Sequence, residues 1–481
     1  MPTLNSALQI GKSALRAQQI GLNVTGNNIA NVNTPGYTRK SANLAGSSTS
    51  IKGVGGGVTV ASLSRSRDRF LDSQFRFEGS IVGKLEVMTR ALGTVEAIFT
   101  ELGGGSSETS AVFNQSSGAA LSGSFNRFFN AFQDLANNPQ SIGARAQVRE
   151  EAIYLTDQFH RLHDKLTDLR LDMDDEFQRT VDDVNRMTDN IASLNKRILA
   201  NKNLSTDVAG NLDDERDRLV DELSKLMSLS VREENDGTLT VTAAQGEGVQ
   251  LVQGTTTYGL GYRTVERDGA LVSMLTQPDQ GQAIDVSSGK LKGLLEVRDD
   301  HIVDYQASLD ELATHFVEQI NAIHGGGFGL DGSTGTYFFD PTLANAHEIQ
   351  VSSDIQNNLE KIAAAGPHED NPNIPAGAGD GSVALSIAQF QQTRFLTGGN
   401  RTIEEYYSDL VGRIGAESQE VQRDMEGQTL VMEQVSNRRE NIRGVSLNEE
   451  ASDLILFQRA YQAAARLIST VDEMLQTVLN I

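Results

Sequence analysis

The sequence predicts a mainly α fold with a small inserted β domain: an elongated helical rod, terminal coiled-coil helices, and the β domain facing outward. Three observations predict it. Apolar residues recur at steps of three and four over long central stretches. Heptad-spaced apolar residues stand at both ends of the chain. One internal stretch, 231–288, switches to short period-two runs split by Asp-Gly turns.

The C-terminal element carries the cleanest pattern. Leu454, Phe457, Tyr461, Ala464, Ile468, Val471, Leu475 and Val478 form an a/d seam over almost four heptads. Ser446-Leu447-Asn448-Glu449 just before it reads as a capping box, with Glu449 reaching back. The helix is expected to run to Ile481, with nothing after it to cover the seam.

At the other end Leu8, Leu15, Leu22 and Ile29 recur every seven residues, with Leu4 one turn earlier. Between them lies a small, polar face of Gly11, Ala14, Gln18, Gly21 and Thr25. Gly and Thr each weaken an isolated helix by up to about 1 kcal/mol. This helix therefore needs a partner, and the C-terminal seam is the candidate. The alternative is two ordinary amphipathic helices on one globular core. The turn Asn31-Val32-Asn33-Thr34-Pro35-Gly36-Tyr37 stops the first helix, because Pro35 cannot continue it and Gly36 frees the next turn.

Residues 41–60 are Ser/Gly-rich, with a strand signal at Val58-Thr59-Val60. Arg65, Arg67 and Arg69 precede a helix over roughly 67–101, which Gly103-Gly104-Gly105-Ser106-Ser107 breaks. The longest helix is expected over 141–201, with the stripe Leu155, Phe159, Leu162, Leu166, Leu169, Met173, Phe177, Val181, Val184, Met187, Ile191, Leu194 and Ile198. Its central 4-4-3 spacing is a stutter that locally unwinds a supercoil. Further helices are expected over 299–324 and 402–442, and 325–400 reads mostly as loop. The order helix, β insert, helix brings both termini to one pole.

The domain reading is 1–60 plus 443–481 for the terminal coiled coil, and 61–230 plus 289–325 plus 385–442 for the rod. The β insert is 231–288, and 326–384 is a loop-rich segment.

Composition narrows the function. The chain has 41 basic and 64 acidic residues, a net charge of −23, so it repels nucleic acid and anionic membranes. It has no Cys, which excludes disulfides, thiolate zinc sites and cysteine nucleophiles. No apolar run of about 18 residues exists to span a membrane. The start, Met1 to Leu8, lacks the pattern of a cleaved leader. His160 and His163 share a helix face but have no accompanying carboxylate motif, so they read as a solvated face. Gly53-Val54-Gly55-Gly56-Gly57 has no Lys-Ser/Thr after it to make a phosphate loop. No catalytic residue, cofactor or metal is predicted. The expectation is a structural subunit that polymerises through its two ends.

The stretch Asn27-Asn28-Ile29-Ala30-Asn31-Val32-Asn33-Thr34-Pro35-Gly36-Tyr37-Thr38-Arg39 resembles the N-terminal signature of flagellar axial proteins, the rod, hook and hook-associated subunits. The Thr-Pro-Gly-Tyr form followed by Thr-Arg looks most like the hook-associated subunits. Three further stretches agree: Asn211 to Ser224, Gly293 to Asp299, and Gly444 through Tyr461 to Ile481. The resemblance implies an inner tube of terminal helices, a rod domain and an outward β domain. It implies self-assembly at the hook–filament junction, with hook protein below and a second junction protein or the filament above. It implies secretion by the flagellar type III apparatus, with a cytoplasmic export chaperone on the C-terminal helices. Larger relatives carry an outermost domain after a Phe-Phe stretch; here Tyr337-Phe338-Phe339-Asp340 is followed by too short a segment, and that domain is expected to be absent or reduced. Two other readings stand beside this one. The first is another axial subunit, a second junction protein or flagellin, although flagellin-like sequences lack the Asn-Thr-Pro-Gly-Tyr turn. The second is a hydrolase housed in the insert.

Overall fold

The computed structural model describes residues 2–47, 56–101, 121–201, 206–243, 248–277, 283–396 and 400–479. Helix α1 (Pro2–Ala30) leads into a hairpin of β1 (Lys40–Gly46) and β2 (Val58–Arg65). Four helices follow: α2 (Arg69–Glu101), α3 (Leu121–Asn137), α4 (Ile142–Asn201) and α5 (Thr206–Leu226). The strands β3 (Leu229–Glu233), β4 (Leu239–Ala243), β5 (Gln250–Gln253) and β6 (Thr256–Thr257) form one antiparallel sheet in that order. β7 (Gly261–Arg267) and β8 (Ala270–Thr276) form a separate hairpin. Then α6 (Lys290–Glu296) runs through a π turn, Val297–His301, into α7 (Ile302–Gly325). Short pieces come next: α8 (Ser353–Asn357), the ribbon β9 (Pro367–His368) and β10 (Asn371–Pro375), and α9 (Ser382–Phe390). The chain returns through α10 (Ile403–Arg443) and ends in α11 (Leu447–Leu479).

The fold is mainly helical, with terminal helices and small sheets, as the periodicities predict. The expected central stripe is the inner face of α4: every member from Leu155 to Ile198 is buried except Met187, which is partly buried. At 1.5 Å per residue its 60 residues span about 90 Å. α2 and α10 run antiparallel beside it, as shown by Arg439 on Asp72 (2.7 Å), Gln428 on Glu78 (2.6 Å) and Phe99 near Tyr407 (6.4 Å between rings). Thr402 and Glu405 form a reciprocal capping box at the start of α10. At α11 the expected box is half made. Ser446 Oγ accepts from Glu449 N at 3.5 Å, while the Glu449 carboxylate pairs with Arg39 at 3.2 Å.

The strands of the insert lie on α4 and share its core: Val241, Leu251, Val252 and Leu275 belong to the same buried cluster as Leu162 and Phe177. Two asparagines of α4 act as substitute peptide groups. Asn195 donates to Leu239 O (3.0 Å) and Gly254 O (2.6 Å) and accepts from Leu239 N. Asn185 exchanges hydrogen bonds with both Leu260 O (2.8 Å) and Leu260 N (2.7 Å). The Asp268-Gly269 turn takes positive φ at both residues, 50° and 74°, as a type I′ hairpin requires.

Two regions differ from the sequence reading. No helix was expected over 121–137, yet α3 supplies Phe125, Phe128, Phe129 and Phe132, all buried. Phe125 and Phe128 stack edge-on with Phe159, Phe316 and Phe338 at centroid distances of 5.1–5.9 Å, and Phe132 meets Phe338 at 5.5 Å. The 326–384 segment is irregular as expected but packed, with Phe328, Phe338, Phe339, Ile349, Val351, Ile355 and Ile362 buried. Asn321 of α7 holds its Phe-Phe step, accepting from both backbone N–H groups at 2.9 Å. The Gly53–Gly55 and Gly103–Ser107 stretches lie outside the described residues.

Candidate assembly interface

The terminal helices α1 and α11 pair antiparallel within one chain. The face of α1 turned to α11 is the small one. Gly11, Ala17, Gly21, Val24, Thr25 and Asn28 are buried. A Cβ on Gly11 would lie 2.7 Å from Ile468, and one on Gly21 would lie 2.8 Å from the Phe457 ring. The glycines therefore let the two backbones approach while the larger α11 side chains fill the gap. From α11, Ala464 and Val471 are buried and Leu454, Phe457, Ile468 and Leu475 are half-buried. Tyr461 is exposed. The side chain of Val478 lies outside the described residues, as do Asn480 and Ile481.

The leucine row of α1 has a different place. Leu8, Leu15, Leu22 and Ile29 are half-buried, off the centre of the helix pair. Leu15 borders a groove of about 720 Å³ lined also by Ala17, Ile20, Val58, Val60 and Tyr461. The β1–β2 hairpin closes one side of it, with Val58 N donating to Ser13 Oγ at 3.3 Å. On α11 a second row, Ile455, Leu456, Leu467 and Met474, is exposed.

The turn after α1 is a polar clamp. Asn31 caps the helix end, donating to Asn27 O (2.9 Å) and Asn27 Oδ1 (2.6 Å) and accepting from Thr34 Oγ1 (3.1 Å). Asn33, Thr34 and Pro35 are exposed, and Gly36 takes φ +82° over Arg218. Tyr37 donates to Asn28 Oδ1 at 2.8 Å. Asn28 is the pivot. Its amide also donates to Lys40 O and to Glu450 Oε2, both at 2.9 Å. The buried Glu450 carboxylate takes Arg39 Nε at 2.6 Å on its other oxygen. Hydrogen bonding to Glu450 holds the Arg39 guanidinium above its ordinary value. Arg39 N also donates to Arg443 O at 2.9 Å. Three distant segments are thus locked where α1, α11 and the rod meet. Asn28 and Glu450 lie within the signature stretches, but their pairing did not show in the sequence, because each partner is remote in the chain.

The clamp continues into the rod. Thr38 N donates to Asp214 Oδ2 (3.3 Å), and Lys40 reaches Asn211. Arg65 bridges Asp214 (3.0 Å) and Asp217 (2.8 Å), Arg67 bridges Asp72 (2.5 Å) and Asp217, and Arg76 meets Asp221 (2.8 Å). Arg439 joins Asp72 to Asp221 (2.6 Å). The acidic row of α5 therefore anchors the basic stretch before α2. Burial pushes Arg67 down to about 10 against the pull of Asp72. Burial also raises Asp72, but Arg67, Arg439 and Arg76 together leave it below its ordinary value. The Gly293–Asp299 stretch has a similar role: buried Arg298 pairs with Asp174, which also accepts from Ser273 N at 2.6 Å and so ties β8 to α4.

Among the described residues, the histidines nearest the insert are placed for structure. His301 sits in the π turn 3.4 Å from Glu417, and His315 is an exposed partner of Glu318 at 3.2 Å. His324 is buried between two backbone groups. His160 contacts Ile349 O at 2.8 Å. Among the described residues, no helix is long and apolar enough to cross a membrane.

A helical rod with paired, clamped terminal helices resembles the flagellar axial proteins, and comparison with known proteins agrees. The model described as "Flagellar hook-associated protein FlgK helical domain" matches residues 106–339. The basal body rod models match at both ends, over 8–38 and 441–481. Flagellar hook-associated protein 1 of Bacillus subtilis is 29% identical, covering 98% of this chain and 97% of its own. The Salmonella typhimurium protein of the same name is 23% identical, covering 99% and 100%. A solved structure, the flagellar hook junction protein FlgK from Burkholderia pseudomallei, superposes with a TM-score of 0.64 at 16% identity. It covers 78% of this chain and 100% of its own. Along nearly its whole length the chain is similar to flagellar hook-associated protein 1.

Proposed function

We propose that this chain is the structural subunit of the hook–filament junction and that the α1–α11 pair is the part that polymerises. One observation carries the reading. The inner side of the pair is filled and clamped, yet apolar rows remain on both helices: Leu8, Leu15, Leu22 and Ile29 at half burial, and Ile455, Leu456, Leu467 and Met474 exposed. A second copy of the chain would cover them. The predicted seam of Phe457, Ile468, Val471 and Leu475 builds the pair, and the outer rows join pairs to one another. The Asn31–Tyr37 turn, through Asn28 and Arg39, sets the angle between the tube wall and the rod.

The family supports hook protein below and the second junction protein or filament above as partners. Export is through the flagellar type III apparatus, with a chaperone covering α11 beforehand. No catalytic step is assigned, since the candidate histidines serve packing and surface ion pairs. The test uses hooks isolated from a bacterium lacking its own hook-associated protein 1. Incubated with the purified chain, their ends should gain a layer visible by electron microscopy and then retain the second junction protein. Hooks that stay bare would remove this reading.

A further inference from the structure

We propose that His163, Asp164 and His347 form a site for a borderline divalent transition-metal ion such as zinc. His163 and Asp164 stand on α4, and His347 lies on the turn between Phe339 and α8. The fold brings the two imidazoles to 4.8 Å between centroids, tilted by 36°. Asp164 Oδ1 is 3.4 Å from His347 Nδ1 and 3.7 Å from His163 Nδ1. One donor atom from each residue fits within 4.8 Å of the others. Donors sharing an ion at about 2.0–2.2 Å stand roughly 3.3 Å apart in a tetrahedral site. Small rotations of the two exposed side chains, Asp164 and His347, supply the difference.

A second observation marks the site. His163 Nδ1 is buried and has no hydrogen-bond partner. Buried polar atoms are normally satisfied, and an ion would satisfy this one. Burial first, and then the neighbouring His347, hold His163 below its ordinary value. Asp310 does not compete for the ion with both oxygens, since its Oδ1 accepts from Ala346 N at 2.8 Å and fixes the turn. His160 is committed to Ile349 O. Two nitrogens and one carboxylate favour zinc, cobalt, nickel or copper over calcium or magnesium. Three protein donors leave a fourth position for water. The ion would clip the 340–350 turn to α4. Sequence spacing could not show this, because His347 is remote in the chain.

The experiment uses the full chain freed of metal by chelator. Zinc titrated in a calorimeter should bind one ion per chain, and cobalt should give visible absorption bands. Zinc should also raise Tm. His347→Ala, at an exposed position, should weaken binding at least about tenfold and abolish the rise in Tm. His315→Ala, at an exposed histidine on α7, should bind as the parent does. No heat and no cobalt bands at millimolar ion would overturn the proposal. Equal binding by the His347→Ala chain would also overturn it, by placing the ion elsewhere.

Discussion

His324 commits both ring nitrogens. Nε2 accepts from Ala363 N at 2.8 Å, so Nδ1 carries the proton and donates to Thr336 O at 2.8 Å. Burial pushes its value down from 6.5 to about 4. Between those values the unfolded chain takes a proton that the folded chain refuses. Stability is therefore present in full above about pH 6.5 and falls toward pH 4, by about 3 kcal/mol in all. Urea midpoints should drop between pH 7 and pH 4.5 more steeply for the parent than for His324→Asn, whose slope should be flatter despite lower overall stability. Equal slopes would show that His324 is not the group responsible. The residue scale was also the least legible in the sequence. The turn Asn31–Tyr37 announced itself through Pro35 and Gly36, whose backbone constraints are local. Asn28, Glu450 and His324 matter through partners that only the fold brings near.

Elements were read more easily, because burial along a helix repeats with the helix itself. The stripe of α4 follows from its apolar spacing, and the helices expected over 67–101, 299–324 and 402–442 lie within a few residues of α2, α7 and α10. So do the hairpin turns, where Asp268-Gly269 needs two positive φ angles. Helix α3 was missed although Leu121, Phe125, Phe128, Phe132 and Leu135 step by four and three; Ser122-Gly123-Ser124 at its start resembles the Ser/Gly-rich stretch before it. The 326–384 segment has no period to read, since its buried side chains come from irregular backbone. The face of α1 is the subtler case. Apolar size pointed to the leucine row, but close approach against Phe457 and Ile468 needs residues without bulk. Gly21→Leu should therefore separate α1 from α11 while leaving the rod intact. Limited proteolysis should then release the N-terminal segment faster than from the parent, and the core should keep its Tm. Unchanged cleavage of α1 would show that the glycine face does not set the pairing.

At the scale of the whole molecule, one continuous core runs from α2 through α3, α4 and α7 to α10 and takes in the β strands. The α1–α11 pair stands apart from that core, joined through the Asn28–Glu450–Arg39 clamp and the arginine–aspartate network beyond it. The account's central claim is that the outward rows of this pair make the contacts between subunits. The most direct measurement uses Leu456→Asp with Met474→Asp in a bacterium lacking its own hook-associated protein 1. Leu456 is 62% exposed and Met474 is 52% exposed, so neither change should disturb the fold of the free subunit. The account predicts that the variant is exported into the medium at parental levels while hooks, viewed by electron microscopy, carry no filaments. Filaments in normal number, with the variant present at their junctions, would contradict it.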